Sequence, residues 1–217
     1  MDFEFIAEFY PMYIKAGILT LKLAFYGILI SIIIGILCMA TKFYKIKFLN
    51  PIVDGYVELS RNTPLLIQLF FLYYGLPKLG ISLSSFSCAV IGLAFLGGSY
   101  MAESFRLGFE SVKRSQLEAG LSVGLNQNQL LMYVILPQAF GVALPSISAN
   151  IIFLLKETSI VSIVALADLV YVAKDIIGLY YMTDEALFML VISYLIIILP
   201  TSLLLTWLEK RMKRARS

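Results

Sequence analysis

The chain alternates between long, unbroken apolar stretches and short polar segments. It lacks the apolar-polar alternation of a half-buried strand and the narrow stripe of a surface helix. Five stretches, 17–40, 57–77, 86–106, 134–156 and 186–208, each approach the ~20 residues that a ~30 Å hydrocarbon core requires of a spanning helix. The fourth is the least uniform, because Gly141, Pro145 and Asn150 interrupt it. A further apolar piece, 159–172, contains Asp168 and reads as a bent or re-entrant helix buried in protein, not a sixth span. The pattern predicts an all-α polytopic membrane protein, with residues 1–217 forming one domain and no internal repeat.

Composition agrees with the pattern. Hydrophobic residues make up 60% of the chain and charged residues 14%, too few to cover a soluble domain of this size. Histidine is absent, which removes the commonest general base and metal ligand. The two cysteines, Cys38 and Cys88, are predicted at opposite ends of their spans, so no disulfide or zinc motif is expected.

Charge placement sets the expected orientation. Segments 41–54, 106–133 and 209–217 hold Lys42, Lys45, Lys47, Arg106, Lys113, Arg114, Lys210, Arg211, Lys213, Arg214 and Arg216, most of the 17 basic residues. The positive-inside rule therefore places the N-terminus outside and the C-terminus in the cytoplasm. The basic tail reads as a topology anchor against anionic lipid, not as a nucleic-acid site.

Polar residues inside apolar stretches are costly, so each asks for a reason. Lys22 can snorkel outward. Arg61 can pair locally with Glu58 at i,i+3. Ala94, Gly98 and Ala102 align on one helical face, which allows either tight helix packing or a substrate path kept free of bulk. Glu103 can pair with Arg106 or face a polar cavity and meet an ammonium group. The knot Lys156-Glu157-Thr158-Ser159 is either an interfacial loop or a set of charges and hydroxyls suited to a zwitterion.

The segment 116–137, QLEAGLSVGLNQNQLLMYVILP, is the most informative polar stretch. Glu118-Ala119-Gly120 followed by Gly124 predicts a short helix closed by a glycine turn. Leu117, Leu121 and Leu125 recur at helical spacing. That stripe would be buried by a cytoplasmic partner or by the protein's own membrane-proximal helices. No phosphate-cradling GxxxxGK[ST] loop occurs, so energy from ATP would have to come from another chain.

Together these motifs resemble the permease subunits of ABC importers for polar amino acids. Glu118-Ala119-Gly120, Gly124 and Val134-Ile135-Leu136-Pro137 match the spacing of the family's EAA signature, with Gly120 in place of its second alanine. Glu58 to Leu66 with Gln68 and Phe70 resembles its E-x-x-R-G-T-P-L-L-x-Q-x-F stretch, with Asn62 for glycine. Tyr100 to Glu103, Leu136 to Ala139 and Leu155 to Ser159 resemble three further family motifs.

The resemblance implies a type I importer domain of the bacterial cytoplasmic (inner) membrane. It implies a dimer, with itself or a sister permease, that sits on two ABC ATPase subunits and receives substrate from an extracytoplasmic binding protein. No cofactor is expected on this chain; ATP and magnesium belong to the partner, and the chain itself is not an enzyme. Glu118, Ala119, Gly120, Gly124, Leu117 and Leu121 are the implied ATPase-coupling residues, and alanine at 120 is expected to preserve coupling. Glu103, Asn150, Lys156, Glu157 and Thr158 are the candidate substrate contacts. The competing readings are an ATP-independent secondary transporter or channel, for which inverted repeats and rows of intramembrane acids are missing, and a membrane scaffold.

Overall fold

The computed structural model describes residues 1–214. Arg216, counted above among the inner basic residues, lies outside them. The described residues form helices and turns with no strand. Among the described residues, four helical segments are long and apolar enough to cross a membrane: Phe3–Phe43, Ser85–Glu110, Gln127–Val164 and Thr183–Arg214.

The first helix, α1 (Phe3–Phe43), begins well before the apolar stretch expected at 17–40. Asp2 starts it, its carboxylate accepting from the backbone N–H groups of Glu4 and Phe5 at 3.0 and 3.1 Å. The acidic start is therefore helical. Phe9 and Tyr13 on this early part are buried in a cluster with Leu169, Val172 and Ala186 from the C-terminal helices. Tyr13 Oη donates to the Ala186 carbonyl at 2.8 Å. Tertiary packing extends the helix beyond what hydropathy marks.

The stretch expected as one helix over 57–77 is two pieces. The helix α2 (Leu49–Arg61) ends where Asn62 leaves helical geometry, and Pro64 is extended. The residue before a proline disfavours the α region, and the ring cannot donate to the preceding turn. The chain resumes as α3 (Leu65–Phe70), followed by a π turn (Phe71–Gly75) and a 3-10 turn (Leu76–Leu79). This run, Leu65–Leu79, is apolar but shorter than the four spans. Gln68 closes the break, its amide donating to the carbonyls of Ser60 and Thr63 at 3.2 and 3.0 Å.

The helix α4 (Ser85–Glu110) is the central element, packed against α1 on one side and α7 (Leu136–Glu157) on the other. Its small-residue face serves close packing. A methyl group on Gly98 would lie 2.6 Å from Ile34 Cγ2 and 2.5 Å from the Tyr56 hydroxyl. The same approach lets Tyr56 Oη and Ser60 Oγ donate to the Phe95 carbonyl at 2.7 and 2.9 Å, tying α2 to α4.

Beyond α7 the chain tightens into a 3-10 turn (Thr158–Val164) and reverses at Ala165, which adopts left-handed geometry. Asp168 then caps α8 (Leu169–Tyr180), accepting from the Tyr171 N–H at 2.9 Å. The bent apolar piece expected over 159–172 is this turn and cap. Asp168 is fully buried, and its Oδ2 has no hydrogen-bond partner among the described residues. Burial pushes its carboxyl up to about 6. The last helix, α9 (Thr183–Arg214), returns along α1, and the Asp2 N–H donates to Glu185 Oε1 at 2.8 Å.

Candidate functional site

A polar cleft of about 590 Å³ opens between α1, α2 and α4. Its walls carry the charges that hydropathy leaves unexplained: Lys42 from α1, Asp54, Glu58 and Arg61 from α2, and Glu103, Arg106 and Glu110 from α4. Lys42 pairs with Asp54. Arg106 is fully engaged: one nitrogen reaches both oxygens of Glu110 at 2.8 Å, and a second donates to Glu103 Oε2 at 2.7 Å. Glu103 thus satisfies both sequence alternatives, pairing with Arg106 while lining the cleft.

Arg61 departs from its expected local pair. Glu58 instead accepts from the Asn62 amide at 3.0 Å. The Arg61 guanidinium lies over the Tyr100 ring, 5.5 Å from its centroid, and 3.7 Å from Glu103 Oε2. Pro64 causes this: by ending α2 at Arg61 it leaves the side chain at a helix terminus, turned toward α4.

The other candidate substrate contacts do not gather here. Asn150 joins α7 to α4, donating to Ser104 Oγ at 2.8 Å and to the Tyr100 carbonyl at 3.3 Å. Ser104 and Ser146 share a further hydrogen bond at 2.8 Å. Lys156 and Glu157 lie beyond Asn150 at the C-terminal end of α7, with Lys156 exposed and Glu157 half-buried. Thr158 is fully buried and donates to the Leu155 carbonyl at 2.7 Å. Sequence reasoning passed over Arg61 as a site residue and over Ser104 altogether. The signal was present in Tyr100, Glu103 and Ser104, spaced so that one helix contributes to both the cleft and the α7 contact.

The segment 116–137 builds a second, separate surface. The short helix α5 (Arg114–Ser122) ends at Gly124, whose φ of 85° is the left-handed geometry of a helix stop. The Leu125 N–H bonds back to the Gly120 carbonyl at 3.1 Å and the Gly124 N–H to Leu121 at 3.0 Å, a Schellman closure. Asn126 and Gln129 then form a reciprocal capping box on α6 (Gln127–Leu130). A π turn (Leu131–Ile135) leads into α7.

The leucine stripe divides. Leu117 and Leu125 pack on a cluster of Val112, Leu130, Ile135 and Ala139, so the protein buries them itself. Leu121 remains 55% exposed and Val123 78%. Glu118 is on the surface, paired with Arg114 at 3.0 Å. Gly120 is buried, and a methyl group there would stand 2.5 Å from Leu130 Cδ1. Glycine at this position lets α5 lie directly on α6.

Residues 27–214 match the family model described as the binding-protein-dependent transport system inner membrane component. The chain belongs to this family. Among its relatives, a Vibrio harveyi protein named "Probable amino-acid ABC transporter permease protein PatM" is 34% identical, covering 99% of this chain and 97% of its own. The glutamine transport system permease protein GlnP of Escherichia coli is 30% identical, with 98% of both chains covered.

A solved chain of an amino acid ABC transporter superposes with a TM-score of 0.90 at 34% identity, covering 97% of this chain and 99% of that one. A chain of the MetNI methionine ABC transporter in an inward-facing conformation shares the fold, with a TM-score of 0.68 at 18% identity and all of both chains covered. The protein is an ABC transporter permease, a membrane-spanning subunit with the type I importer fold. Within that permease the polar cleft and the α5–α6 hairpin are separate surfaces, and α4 runs between them.

Proposed function

We propose that this permease moves polar amino acids into the cell by alternating access, driven by ATP that separate ABC subunits hydrolyse with magnesium. The observation that supports it is the α5–α6 hairpin: a polar helix closed at Gly124 that leaves Leu121 and Val123 facing outward beside Glu118. An exposed apolar pair on a hairpin closed by its own hydrogen bonds suits burial by a partner. Glu118, Ala119 and Gly124 shape this docking edge, and Gly120 and Leu117 fasten it to α6 and α7.

In this reading the N-terminus is outside and the C-terminus cytoplasmic, in the bacterial inner membrane. A solute-binding protein delivers cargo, and the permease acts as a dimer, with itself or with a sister chain. Glu103 contributes to cargo contact at the cleft. Asn150, Lys156, Glu157 and Thr158 act along the path outside it. ATP-driven closure of the partner pair displaces the hairpin, and two packings of the bundle exchange.

The test is reconstitution. The permease co-purified with its ATPase and supplied with the binding protein should accumulate amino acids in proteoliposomes only with ATP and magnesium. Uptake without any ATPase present would overturn the proposal.

A further inference from the structure

Three cations line the polar cleft, and two are spoken for: Lys42 by Asp54, and Arg106 by Glu103 and Glu110. Arg61 is different. Its guanidinium makes no hydrogen bond among the described residues; its nearest carboxylate oxygen is 3.7 Å away, and its face rests on Tyr100. An arginine fork matches a carboxylate in two parallel hydrogen bonds, and an aromatic ring behind it holds the plane and sheds water. Glu103, fixed by Arg106, sets a negative charge beside that open fork. The cleft volume, about 590 Å³, falls within the range of small-molecule sites.

We propose that Arg61 binds the α-carboxylate of the cargo amino acid while Glu103 receives its ammonium group. The inference rests on the amino-acid transport reading above and extends it to a residue outside the expected contact set. A cation and an anion side by side suit the two charges of an α-amino acid, which are separated by one carbon. Because Arg61 ends α2 and Glu103 sits on α4, the clamp spans two helices. Rocking of one against the other would open it and release the cargo.

The alternative role for Arg61 is to neutralise Glu103 without touching cargo. Binding separates the two. Uptake by the reconstituted complex is first measured for each standard amino acid. Equilibrium binding of the best-transported one, and of its C-terminal amide, is then measured on the detergent-solubilised permease–ATPase complex without binding protein. A charged hydrogen-bonded pair predicts that the wild-type complex prefers the free carboxylate by roughly 10-fold or more.

Arg61→Gln should abolish that preference while the melting temperature stays near wild type. Arg61→Lys, which keeps the charge but loses the fork, should retain part of it. Glu103→Gln should keep the carboxylate preference and weaken the preference for the amine over its des-amino analogue. An Arg61→Gln complex that melts normally and still prefers the carboxylate would overturn the clamp, as would a wild-type complex with no preference. If Arg61→Gln does not fold, full preference in Arg61→Lys overturns it as well. Failure of every amino acid to be taken up would instead refute the transport reading itself.

Discussion

The Asn150 side-chain amide donates to Ser104 Oγ at 2.8 Å, joining α7 to α4 at the level of Tyr100. Ser146 completes the contact through the same hydroxyl. Interhelical hydrogen bonds of this kind are worth about 0.6 kcal/mol on average and up to about 1.7 in membrane bundles. Asn150→Ala and Ser104→Ala should each lower thermal stability in detergent by that order. The double variant should lose less than the sum, since both remove one bond. Additive melting shifts in the double-mutant cycle would show that the two side chains act independently.

Gly98 and Gly55 should respond in opposite ways to alanine. At Gly98 the added methyl meets Tyr56 and Ile34 inside normal contact distance, so Gly98→Ala should destabilise by about 1–3 kcal/mol through overpacking. At Gly55, inside α2, nothing lies within 4 Å. Gly55→Ala should stabilise by roughly 0.5–1 kcal/mol through backbone entropy. Thermal melts of both variants check the pair, and equal shifts would contradict the close packing of α4 at Gly98.

Alanine at 120 is the family pattern, and the sequence alone leads one to expect it to be harmless. The structure adds a cost. Leu130 must turn its tip away from a methyl placed 2.5 Å from it, and Leu130 is itself buried in the cluster beneath α5. Gly120→Ala should therefore lower ATP-dependent uptake about 2- to 10-fold, equivalent to ~0.4–1.4 kcal/mol, and Gly120→Ala with Leu130→Ala should regain much of it. Uptake and ATPase assays on both variants decide; unimpaired coupling in Gly120→Ala would mean that α5 is not held tightly on α6.

Asp168 should make stability depend on pH. Burial lifts its carboxyl from about 3.9 in the unfolded chain to about 6 in the fold. The folded protein thus binds more protons than the unfolded chain within that window, and stability falls as pH rises. The contribution of the protonated form is complete below about 3.9 and is lost as the pH passes about 6. Asp168→Asn keeps a capping oxygen for Tyr171 without the charge, so it should raise the melting temperature at pH 8 and flatten its change between pH 4 and pH 8. A variant with the wild-type pH profile would place the titration elsewhere.

Much of this architecture can be read along the chain. Runs such as 86–106 and 186–208 fall within α4 and α9, because a spanning helix must satisfy its backbone internally and offer apolar side chains to lipid. The turn at Gly124 was legible for a local reason: a helix stop in left-handed geometry favours glycine. Helix ends set by distant contacts were not legible. The start of α1 at Phe3 depends on Phe9 and Tyr13 finding α8 and α9, partners more than 150 residues away in sequence. The leucine stripe was visible, but not its division, since helical spacing does not say which face meets Ile135 and Ala139.

The candidate site divides along the same line. By itself the sequence determined that this is an all-helical membrane chain, which residues are too polar for oil, and which motifs mark it as an importer permease. Those are properties of composition, local spacing and the cost of burying charge. Only the tertiary structure decided which polar groups meet. It turned Arg61 from Glu58 toward Glu103 and Tyr100, spent Asn150 on Ser104, and left Lys156 at the far end of α7. The physical reason is that a charge inside a bundle takes the partner that helix packing brings within reach, and the break at Pro64 set that reach for Arg61.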